Sequence, residues 1–306
     1  MPVLYLSHAA CSAHVGFAGH PERPQRLQAI EESLMERGVF DLLQHEPAPR
    51  AELEALLRVH KRAHVERVLG SAPDEGLVQF DADTFLGPAS PEAALRAAGA
   101  VVRATDAVLA GEVRAAFCAV RPPGHHATRD RAMGFCLFNN VAVGVAHALA
   151  TGVRRLAVLD FDAHRGNGTE EIFADDPRVL FCSLYQHPFY PYGDRSHVPA
   201  NVVDVPLAAG SDGGALRDLF ETRWLPALTR HRPEVLFLSA GFDAHVLDEM
   251  SGLCFTDNDY AWLSQRIVEV ATADAAGRVV SALEGGYHLP SLGRCVTLHV
   301  RALLQV

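Results

Sequence analysis

The stretch RLAVLDFDAHRGNG, residues 155–168, runs from an apolar segment into two aspartates, a histidine and a glycine-rich turn. A short run that is apolar throughout is typical of a parallel β-strand whose two faces are both covered. Asp160, Asp162 and His164 are spaced two apart, and on a strand this spacing places the three side chains on one face. Because buried carboxylates need a cation or hydrogen-bond donors beside them, the sequence predicts a functional site where this strand ends.

The rest of the chain alternates between strand-length apolar runs and helical patterns. The predicted strands cover residues 3–6, 115–120, 155–161, 179–185, 202–207, 235–242 and 279–286, and the predicted helices cover residues 22–38, 91–110, 137–150, 214–230, 257–275 and 290–304. Strands that alternate with helices indicate an α/β fold with a mainly parallel sheet flanked by helices. No linker rich in Pro, Gly or Ser divides the chain, so residues 1–306 are predicted to form a single domain.

Composition and charge are typical of a globular protein and restrict the classes of molecule that it is expected to bind. Of the 306 residues, 49% are hydrophobic and 21% are charged, as in ordinary folded domains. Asp and Glu total 37 against 27 Lys and Arg, and the net charge of -10, with no long basic run, argues against direct binding to nucleic acid. The same balance suits a cationic substrate, although solubility alone also accounts for it.

Cysteine usage and the lack of a long apolar segment predict a cytoplasmic protein. The six cysteines are far apart and form no CxxC pair, which argues against a zinc ribbon and favours free thiols in a reducing compartment. The start, MPVLYLSHAACSAH, has no cationic leader, and the longest apolar region, VAVGVAHALATGV (141–153), is too short to span a bilayer. We therefore expect a soluble protein with no membrane partner.

Three further polar clusters lie where predicted strands end: RPPGHHA (121–127), SAGFDAH (239–245) and LEGGYHL (283–289). Sites in open parallel sheets collect beyond the carboxyl ends of the strands, so these clusters are expected to meet the DFDAHRGNG segment. Asp162 and His164 have the residue types and spacing of two ligands of Zn²⁺ or a similar divalent ion. Asp243 is a candidate third ligand, and His245 is the alternative.

A histidine pair and a tyrosine supply the other groups that amide hydrolysis requires. His125 and His126 follow a Pro-Pro-Gly turn, and histidine, which titrates near neutral pH, can act as general base and general acid. Tyr287 follows two glycines and could donate a hydrogen bond to a developing oxyanion. Each cluster alone also fits a structural role: a helix cap, an ion pair with arginine, an ordinary surface loop or a tyrosine packed at a rim. Together they indicate metal-assisted hydrolysis of an amide without a protein nucleophile.

Seven motifs, spread in order over nearly the whole chain, resemble those of the histone deacetylase and acetylpolyamine amidohydrolase family. They are GHPERPQRL (19–27), DADT (81–84), RPPGHHA (121–127), GFCLFNN (134–140), DFDAHRGNGT (160–169), SAGFDAH (239–245) and EGGYHL (284–289). GFCLFNN and SAGFDAH are most similar to class II and bacterial deacetylase-like members. The resemblance implies the arginase/deacetylase fold, with one mainly parallel sheet flanked by helices.

Two metal sites follow from the resemblance. The ligands of a catalytic zinc ion would be Asp162, His164 and Asp243. Iron(II) is the alternative metal for the same ligands. A structural potassium ion would lie against Asp160, Asp162, His164, Ser183 and Leu184.

The resemblance also assigns catalytic roles around the metal. His125 and His126 would be the active-site pair, with His126 as the proton shuttle. Asp160 would hold His125, and Asn167 would hold His126. Tyr287 would donate a hydrogen bond to the substrate carbonyl oxygen.

Six residues are implied to bind substrate: Arg23, Asp83, Gly134, Phe135, Phe189 and Tyr190. Phe135 and one residue of the Phe189-Tyr190 pair would wall a narrow acyl-lysine tunnel, where Gly134 would contribute a carbonyl oxygen. Asp83 would bind the substrate backbone or an amine at the rim. Arg23 would lie deep in the acetate-release region.

The implied function is zinc-dependent removal of acetyl or other acyl groups from lysine side chains by water, with acetate and a free amine as products. The partners would be acylated lysine peptides or proteins, and the sequence indicates no oligomeric state. Alternatives are an acetylpolyamine or other small N-acyl amine deacetylase, a manganese ureohydrolase and a non-catalytic acyl-lysine binding module. Arg165 stands where the family usually has histidine, and strand alternation would point its side chain away from the metal.

Overall fold

A computed structural model describes residues 2–193 and 197–305 and contains an eight-stranded sheet in which every pairing is parallel. The strand order is β2-β1-β5-β10-β9-β6-β7-β8, and β3 and β4 form a separate antiparallel pair. The strands are β1 (Val3–Ser7), β2 (Gln44–Pro47), β3 (Val78–Gln79), β4 (Phe85–Leu86), β5 (Ala115–Cys118), β6 (Leu156–Asp160), β7 (Val179–Gln186), β8 (Val202–Leu207), β9 (Val235–Ala240) and β10 (Val279–Leu283). The predicted α/β class with a mainly parallel sheet is confirmed.

Helices flank the sheet and follow the strands along the chain. They are α1 (Ala9–Ala13), α2 (Gln25–Glu36), α3 (Leu53–Leu57), α4 (Arg62–Gly70), α5 (Ser90–Ala110), α6 (Asn140–Ala150), α7 (Asn167–Phe173), α8 (Gly213–Leu219), α9 (Leu225–His231), α10 (Asp257–Asp274) and α11 (Leu289–Leu304), with a 3₁₀ turn (Phe40–Leu42) and a π-helical segment (Phe220–Trp224). The helix predicted over residues 214–230 is divided into α8, the π-helical segment and α9. Within the described ranges, none of the helices combines the length and apolar character needed to cross a bilayer.

Side-chain caps set the first residues of two helices. The Asn139 side chain accepts a hydrogen bond from the Ala142 N–H, so α6 begins directly after it rather than at residue 137. Thr256 and Asp259 form a reciprocal capping box at the start of α10. An apolar pattern cannot show these boundaries, because the capping hydrogen bonds decide where the backbone becomes helical.

The central strands are buried along their whole length, which explains their unbroken apolar sequences. Every residue of β5, β6, β7, β9 and β10 is buried, and each strand begins within one residue of its predicted start. The sequence gives no signal for β2, a polar and mostly exposed strand at the sheet edge. The short helices α1, α3, α4 and α7 are likewise not predicted, since they are too short to show a periodic pattern.

Four neighbouring strands end at one edge of the sheet. In the order β5, β10, β9 and β6, the register pairs Cys118 with Ala282, Ala282 with Ser239, and Ser239 with Asp160. The segments that follow these residues therefore leave the sheet side by side. This edge brings together the four polar clusters that the sequence places at strand ends.

A buried ion-pair cluster joins α2 to the segment after β5. Arg121 donates hydrogen bonds to both carboxylate oxygens of Glu22, and Arg26 Nη1 donates to Glu22 Oε1 at 3.1 Å. The three charged residues are at most 1% exposed. Burial acts to raise the pKa of Glu22, but the charges of Arg121 and Arg26 lower it to about 2. The carboxylate therefore stays ionised and compensates the two guanidinium groups.

Replacing Glu22 with Gln is expected to lower the free energy of unfolding by about 3–5 kcal/mol, because two buried guanidinium groups then lack a carboxylate. Urea unfolding followed by circular dichroism measures the change, and Glu36→Gln, at an exposed position of α2, is the control. Because folding lowers the pKa of Glu22 from 4.5 to about 2, its contribution is complete above the first value and is lost as the pH falls toward the second. Equal unfolding midpoints for Glu22→Gln and the wild type near neutral pH would contradict this role.

Candidate metal centre and catalytic residues

The segment after β6 turns through hydrogen bonds to its own carboxylates. β6 ends at Asp160, so Asp162 and His164 lie beyond the strand, and the prediction that a strand aligns them is wrong. Asp160 Oδ1 accepts a hydrogen bond from the Asp162 N–H at 3.2 Å, and Asp162 Oδ1 accepts one from the His164 N–H at 2.9 Å. Each carboxylate holds the backbone two residues further along, as in Asx turns. The spacing of two thus brings the side chains together through a turn.

Asp162, His164 and Asp243 form a buried group with the geometry of a metal site. His164 Nδ1 lies 3.0 Å from Asp162 Oδ1 and 3.0 Å from Asp243 Oδ2, and one potential ligand atom from each residue lies within 4.8 Å of the others. The other oxygens are fixed, because Asp243 Oδ1 accepts from the Ala163 N–H and Asp162 Oδ2 accepts from the Gly285 N–H, both at 2.8 Å. One imidazole and two carboxylates suit Zn²⁺ or a similar divalent ion.

The charges of this group favour a cation. Burial acts to lower the pKa of His164, but the carboxylates of Asp243 and Asp162 raise it to about 10. Burial and the charge of Asp162 raise the pKa of Asp243. The carboxylates therefore hold a positive charge between them, and a divalent cation can take the place of the imidazole proton.

The residues of the expected potassium site lie on β6, on β7 and in the turn after β6. Asp160 pairs with Ser183 in the parallel register, and Leu184 follows on β7. The hydroxyl oxygen of Ser183 is buried and has no hydrogen-bond partner within residues 2–193 and 197–305. Buried polar atoms normally have a partner, so this oxygen donor fits a bound cation.

Different partners orient the two adjacent histidines. His125 Nδ1 lies 3.0 Å from Asp160 Oδ2, and His126 Nδ1 lies 2.7 Å from Asn167 Oδ1. Because each Nδ1 faces an oxygen acceptor, it carries the ring proton and leaves Nε2 as the second titrating atom. The two ring centroids lie 4.0 Å apart.

The pKa values of the two histidines are shifted in opposite directions. Burial lowers the pKa of His126, and the charges of His125 and His164 lower it further. Burial acts in the same direction on His125, but the charges of Asp160 and Asp162 outweigh it and raise the pKa of that ring. His126 is thus the neutral member of the pair and can accept a proton.

Glu284 is a buried carboxylate without a predicted role. Its Oε2 accepts hydrogen bonds from the Gly124 N–H at 2.7 Å and the His125 N–H at 3.1 Å, and its Oε1 accepts one from the Ser239 hydroxyl at 3.2 Å. Burial raises its pKa to about 7. Glu284 therefore fixes the backbone of the histidine pair to the ends of β9 and β10. The signal for it in the sequence is an ionisable residue directly after an apolar run.

A cavity of about 260 Å³ opens onto the candidate ligand His164 and the histidine pair. Its lining residues are Asp83, Pro123, His125, His126, Gly134, Phe135, His164, Phe189, Tyr190, Glu249, Met250, Gly285 and Tyr287. Phe135 meets Tyr287 edge to face with ring centroids 5.8 Å apart, and Phe189 stacks on His164 at 5.4 Å. A groove of about 460 Å³ between α2 and α11 is larger, but no histidine lines it. The chemistry therefore favours the smaller cavity as the candidate active site.

The Gly134-Phe135 turn forms the wall beside the histidine pair. Both residues have positive φ, 57° and 67°, and a Cβ at Gly134 would lie 2.4 Å from the His126 ring. The Phe135 N–H donates to the Thr84 hydroxyl at 3.0 Å, and that hydroxyl donates to Asp83 Oδ1 at 3.1 Å. The wall and the carboxylate of Asp83 are thus linked through Thr84.

The family is shown by a match of residues 20–303 to the model of the histone deacetylase domain. The chain belongs to the histone deacetylase family. This is a family of hydrolases that are generally metal-dependent, which agrees with the buried group of Asp162, His164 and Asp243.

Relatives in the deacetylase family cover most of the chain. The chain is 37% identical over 292 residues to the histone deacetylase-like amidohydrolase of Pseudomonas aeruginosa, and the aligned region covers 91% of this chain and 76% of that protein. It is 36% identical over 315 residues to histone deacetylase 14, chloroplastic, of Arabidopsis thaliana, and the aligned region covers 97% of this chain and 73% of that protein. The crystal structure of the HDA15 HD domain matches with a TM-score of 0.94 at 33% identity and covers 99% of this chain and 88% of that one. The deacetylase fold expected from the sequence motifs is confirmed.

One expectation from the deacetylase resemblance is corrected. Arg23 is exposed, so it does not lie deep in an acetate-release region. Arg26 in the same motif is fully buried, its Nε donates to the Gly286 carbonyl at 2.7 Å, and its guanidinium carbon lies 4.8 Å from the centre of the Tyr287 ring. The difference arises because Arg26 lies on the buried side of α2, whereas Arg23 precedes the helix.

His245, the alternative third ligand, belongs to a separate group. Its Nε2 lies 2.9 Å from Asp257 Oδ1, and its Nδ1 accepts a hydrogen bond from the Leu247 N–H at 3.1 Å. Because Nδ1 is an acceptor, the ring proton is on Nε2, which then has no lone pair for a metal. Cys295 also lies close enough to form a ligand group, but Arg294 Nε donates to Asp257 Oδ2 at 2.6 Å and compensates that carboxylate. Asp243 therefore belongs to the candidate metal group with Asp162 and His164, and His245 does not.

Arg165, which replaces the usual histidine of the family, is paired outside the candidate active site. Its Nε donates to Glu170 Oε2 at 2.9 Å, and its Nη2 donates to Glu170 Oε1 at 2.5 Å. Arg165 is not among the residues that line the cavity of about 260 Å³. Its side chain therefore forms no part of the cavity lining, and because β6 ends at Asp160, strand alternation does not set its position.

Proposed function

We propose that this chain is a zinc-dependent deacetylase that hydrolyses the amide bond of acetylated or otherwise acylated lysine side chains and releases acetate and a free amine. The observation that carries the proposal is the convergence of Asp162, His164 and Asp243 beside the histidine pair and Tyr287. Residues 1–306 would form one catalytic domain. Six free cysteines, five of them buried, are compatible with a cytoplasmic location.

Zinc is the proposed metal, with iron(II) as the alternative, and the donor set supports this choice. When bound at Asp162, His164 and Asp243, the metal supplies Lewis-acid chemistry that activates water near neutral pH and polarises the amide carbonyl. The chain contributes by fixing the ligand atoms. The hydrogen bonds from Ala163 and Gly285 hold the second oxygen of each carboxylate, so the ligands need little reorganisation.

The histidine pair carries the proton transfers. The neutral ring of His126 accepts the proton of the attacking water and then protonates the leaving amine. Asn167 supports this role because its oxygen holds the proton on His126 Nδ1 and leaves Nε2 for the reaction. His125, held by Asp160 and carrying the raised pKa, supplies positive charge beside the developing oxyanion.

Tyr287 and the cavity wall place the substrate. The Tyr287 hydroxyl donates a hydrogen bond to the carbonyl oxygen as negative charge develops on it. Phe135, Phe189 and Tyr190 surround the aliphatic part of the acyl-lysine side chain, and the Gly134 carbonyl accepts from its amide N–H. Asp83 binds the substrate backbone or an amine at the rim.

A structural potassium ion against Asp160, Asp162, His164, Ser183 and Leu184 is part of the proposal. The buried Ser183 hydroxyl without a partner in the described part of the chain supports it. A cation there would balance the negative charges of Asp160, at the end of β6, and Asp162, in the turn that follows.

A second candidate function is hydrolysis of small cationic N-acyl amines such as acetylpolyamines. Asp83 and Glu249 both line the cavity, and its lining includes no lysine or arginine from the described ranges. Such a cavity attracts a substrate that has a second ammonium group. The histidine pair and Tyr287 support amide hydrolysis over a manganese ureohydrolase or a non-catalytic binding module.

The proposal is tested by assaying the purified protein with an acetyl-lysine peptide and with acetylspermidine, each with and without a chelator. We expect chelator-sensitive release of acetate from the peptide, restored by adding Zn²⁺, because the metal supplies the water activation. A higher kcat/KM for acetylspermidine would favour the second candidate. Binding of the peptide without any acetate release would contradict both hydrolase candidates.

A further inference from the structure

The segment of residues 246–250 forms part of the cavity rim, and one of its side chains is buried beneath it. Val246 and Leu247 are half exposed, and Glu249 and Met250 line the cavity. Asp248 is only 5% exposed. A carboxylate this strongly buried needs hydrogen-bond donors around it.

The donors around Asp248 come from two different segments. Asp248 Oδ2 accepts hydrogen bonds from the Tyr287 N–H at 2.6 Å and from the His288 N–H at 2.9 Å. Asp248 Oδ1 accepts one from the Met250 N–H at 3.0 Å. One carboxylate therefore ties the rim segment to the backbone of the tyrosine that the proposed reaction requires.

Tyr287 depends on such a contact because two glycines precede it. Gly286 has a φ of 118°, and a Cβ there would lie 2.8 Å from the Leu292 side chain, so this backbone conformation requires glycine. Glycine gives the chain little conformational preference of its own. The backbone is fixed from outside instead, at Gly285 by Asp162, at Gly286 by Arg26, and from Tyr287 onward by Asp248.

We propose that Asp248 is a positioning residue that holds the Tyr287 hydroxyl at the reacting carbonyl and couples this position to the rim segment 246–250. The inference rests on the proposed function, in which Tyr287 donates to the substrate oxygen. It has a consequence for substrates: contacts at Met250 change kcat as well as KM, because they act on Tyr287 through the Asp248 carboxylate.

A double-mutant cycle tests the coupling. Asp248→Asn keeps the size of the side chain but offers one acceptor oxygen in place of two, and we expect kcat to fall about 10²-fold with little change in KM. If Asp248 acts through Tyr287, the double variant Asp248→Asn/Tyr287→Phe has nearly the kcat of Tyr287→Phe alone. Hydrogen–deuterium exchange of the Tyr287 and His288 amides should also become faster in Asp248→Asn, whether or not the protein turns over substrate.

Asp259 provides a matched control. It is 6% exposed and, like Asp248, accepts a backbone N–H bond, from Thr256 at 2.8 Å, but it caps α10 away from the cavity. Asp259→Asn is expected to lower stability and leave kcat and the exchange at Tyr287 unchanged. Losses in kcat that multiply in the double variant, or unchanged amide exchange at Tyr287 in Asp248→Asn, overturn the inference. An inactive wild type overturns the proposed function, while the exchange measurement still decides whether Asp248 holds the Tyr287 backbone.

Discussion

Replacing Asp243 with Asn is expected to release the metal and abolish hydrolysis. Asp243 offers one of the three ligand atoms, and its Oδ2 lies 3.0 Å from His164 Nδ1. Asn keeps the size of the side chain but removes its negative charge, so a single carboxylate remains to hold a divalent cation. Loss of an outer-shell partner typically lowers metal affinity about 10–100-fold, and loss of a ligand is expected to exceed this. Metal analysis after dialysis and the rate of acetate release measure the two effects.

The second group of possible ligands in the described ranges provides the control. His245, Asp257 and Cys295 also offer ligand atoms within 4.8 Å of one another. Asp257→Asn is expected to keep both the metal and the activity, because His245 carries its proton on Nε2 and Arg294 already compensates the carboxylate. Metal lost from Asp257→Asn but kept by Asp243→Asn would show that the metal binds the other group.

The parallel sheet could be predicted because burial on both faces requires an unbroken apolar run. VLFCSLYQ in β7 and VLFLSA in β9 contain no charged residue, and every residue in both strands is buried. The edge strand β2, with the sequence QHEP, has no such requirement and gives no signal. Apolar sequence patterns therefore predict the buried central strands of the sheet but not the exposed edge strand β2.

The composition of the candidate site could be predicted, but its geometry could not. The spacing of Asp162 and His164 suits a strand, but their side chains converge because the carboxylates of Asp160 and Asp162 each accept a backbone N–H two residues further along. The choice between Asp243 and His245 depends on contacts such as those of the Leu247 N–H with His245 Nδ1 and of Asp243 Oδ2 with His164 Nδ1. Hydrogen bonds from backbone N–H groups cannot be predicted from the spacing of residue types.

Residues that act by holding the backbone of another segment cannot be predicted from residue spacing. Glu284 accepts the N–H groups of Gly124 and His125, and Asp248 accepts those of Tyr287 and His288. In both cases the carboxylate lies far in sequence from these donors. The motif PERPQR does not distinguish Arg23 from Arg26. Only Arg26 lies within α2, where its side chain is buried. Tertiary contacts between distant segments determine which of these residues are buried and which hold another segment. Residue patterns in a single sequence do not show such contacts.

Replacing Tyr287 with Phe is expected to lower kcat about 10²- to 10³-fold, the usual effect of removing one oxyanion donor. The ring remains, and with it the contacts to Phe135 and Arg26, so the metal content should equal that of the wild type. Burial raises the pKa of Tyr287 well above its ordinary value, despite the opposing charge of Arg26. The hydroxyl therefore stays protonated over the range in which histidines titrate, and the variant should show a lower plateau of kcat with an unchanged pH dependence.

Tyr190→Phe distinguishes loss of a specific donor from loss of any hydroxyl in the cavity. Tyr190 lines the same cavity, and its hydroxyl has no hydrogen-bond partner in the described part of the chain. We expect Tyr190→Phe to keep kcat close to the wild-type value, since its ring and not its hydroxyl forms the wall. If both variants lost activity equally, the loss would reflect a disturbed wall. If Tyr287→Phe alone loses activity while keeping its metal, the hydroxyl acts on the substrate oxygen, because no other property of the side chain has changed.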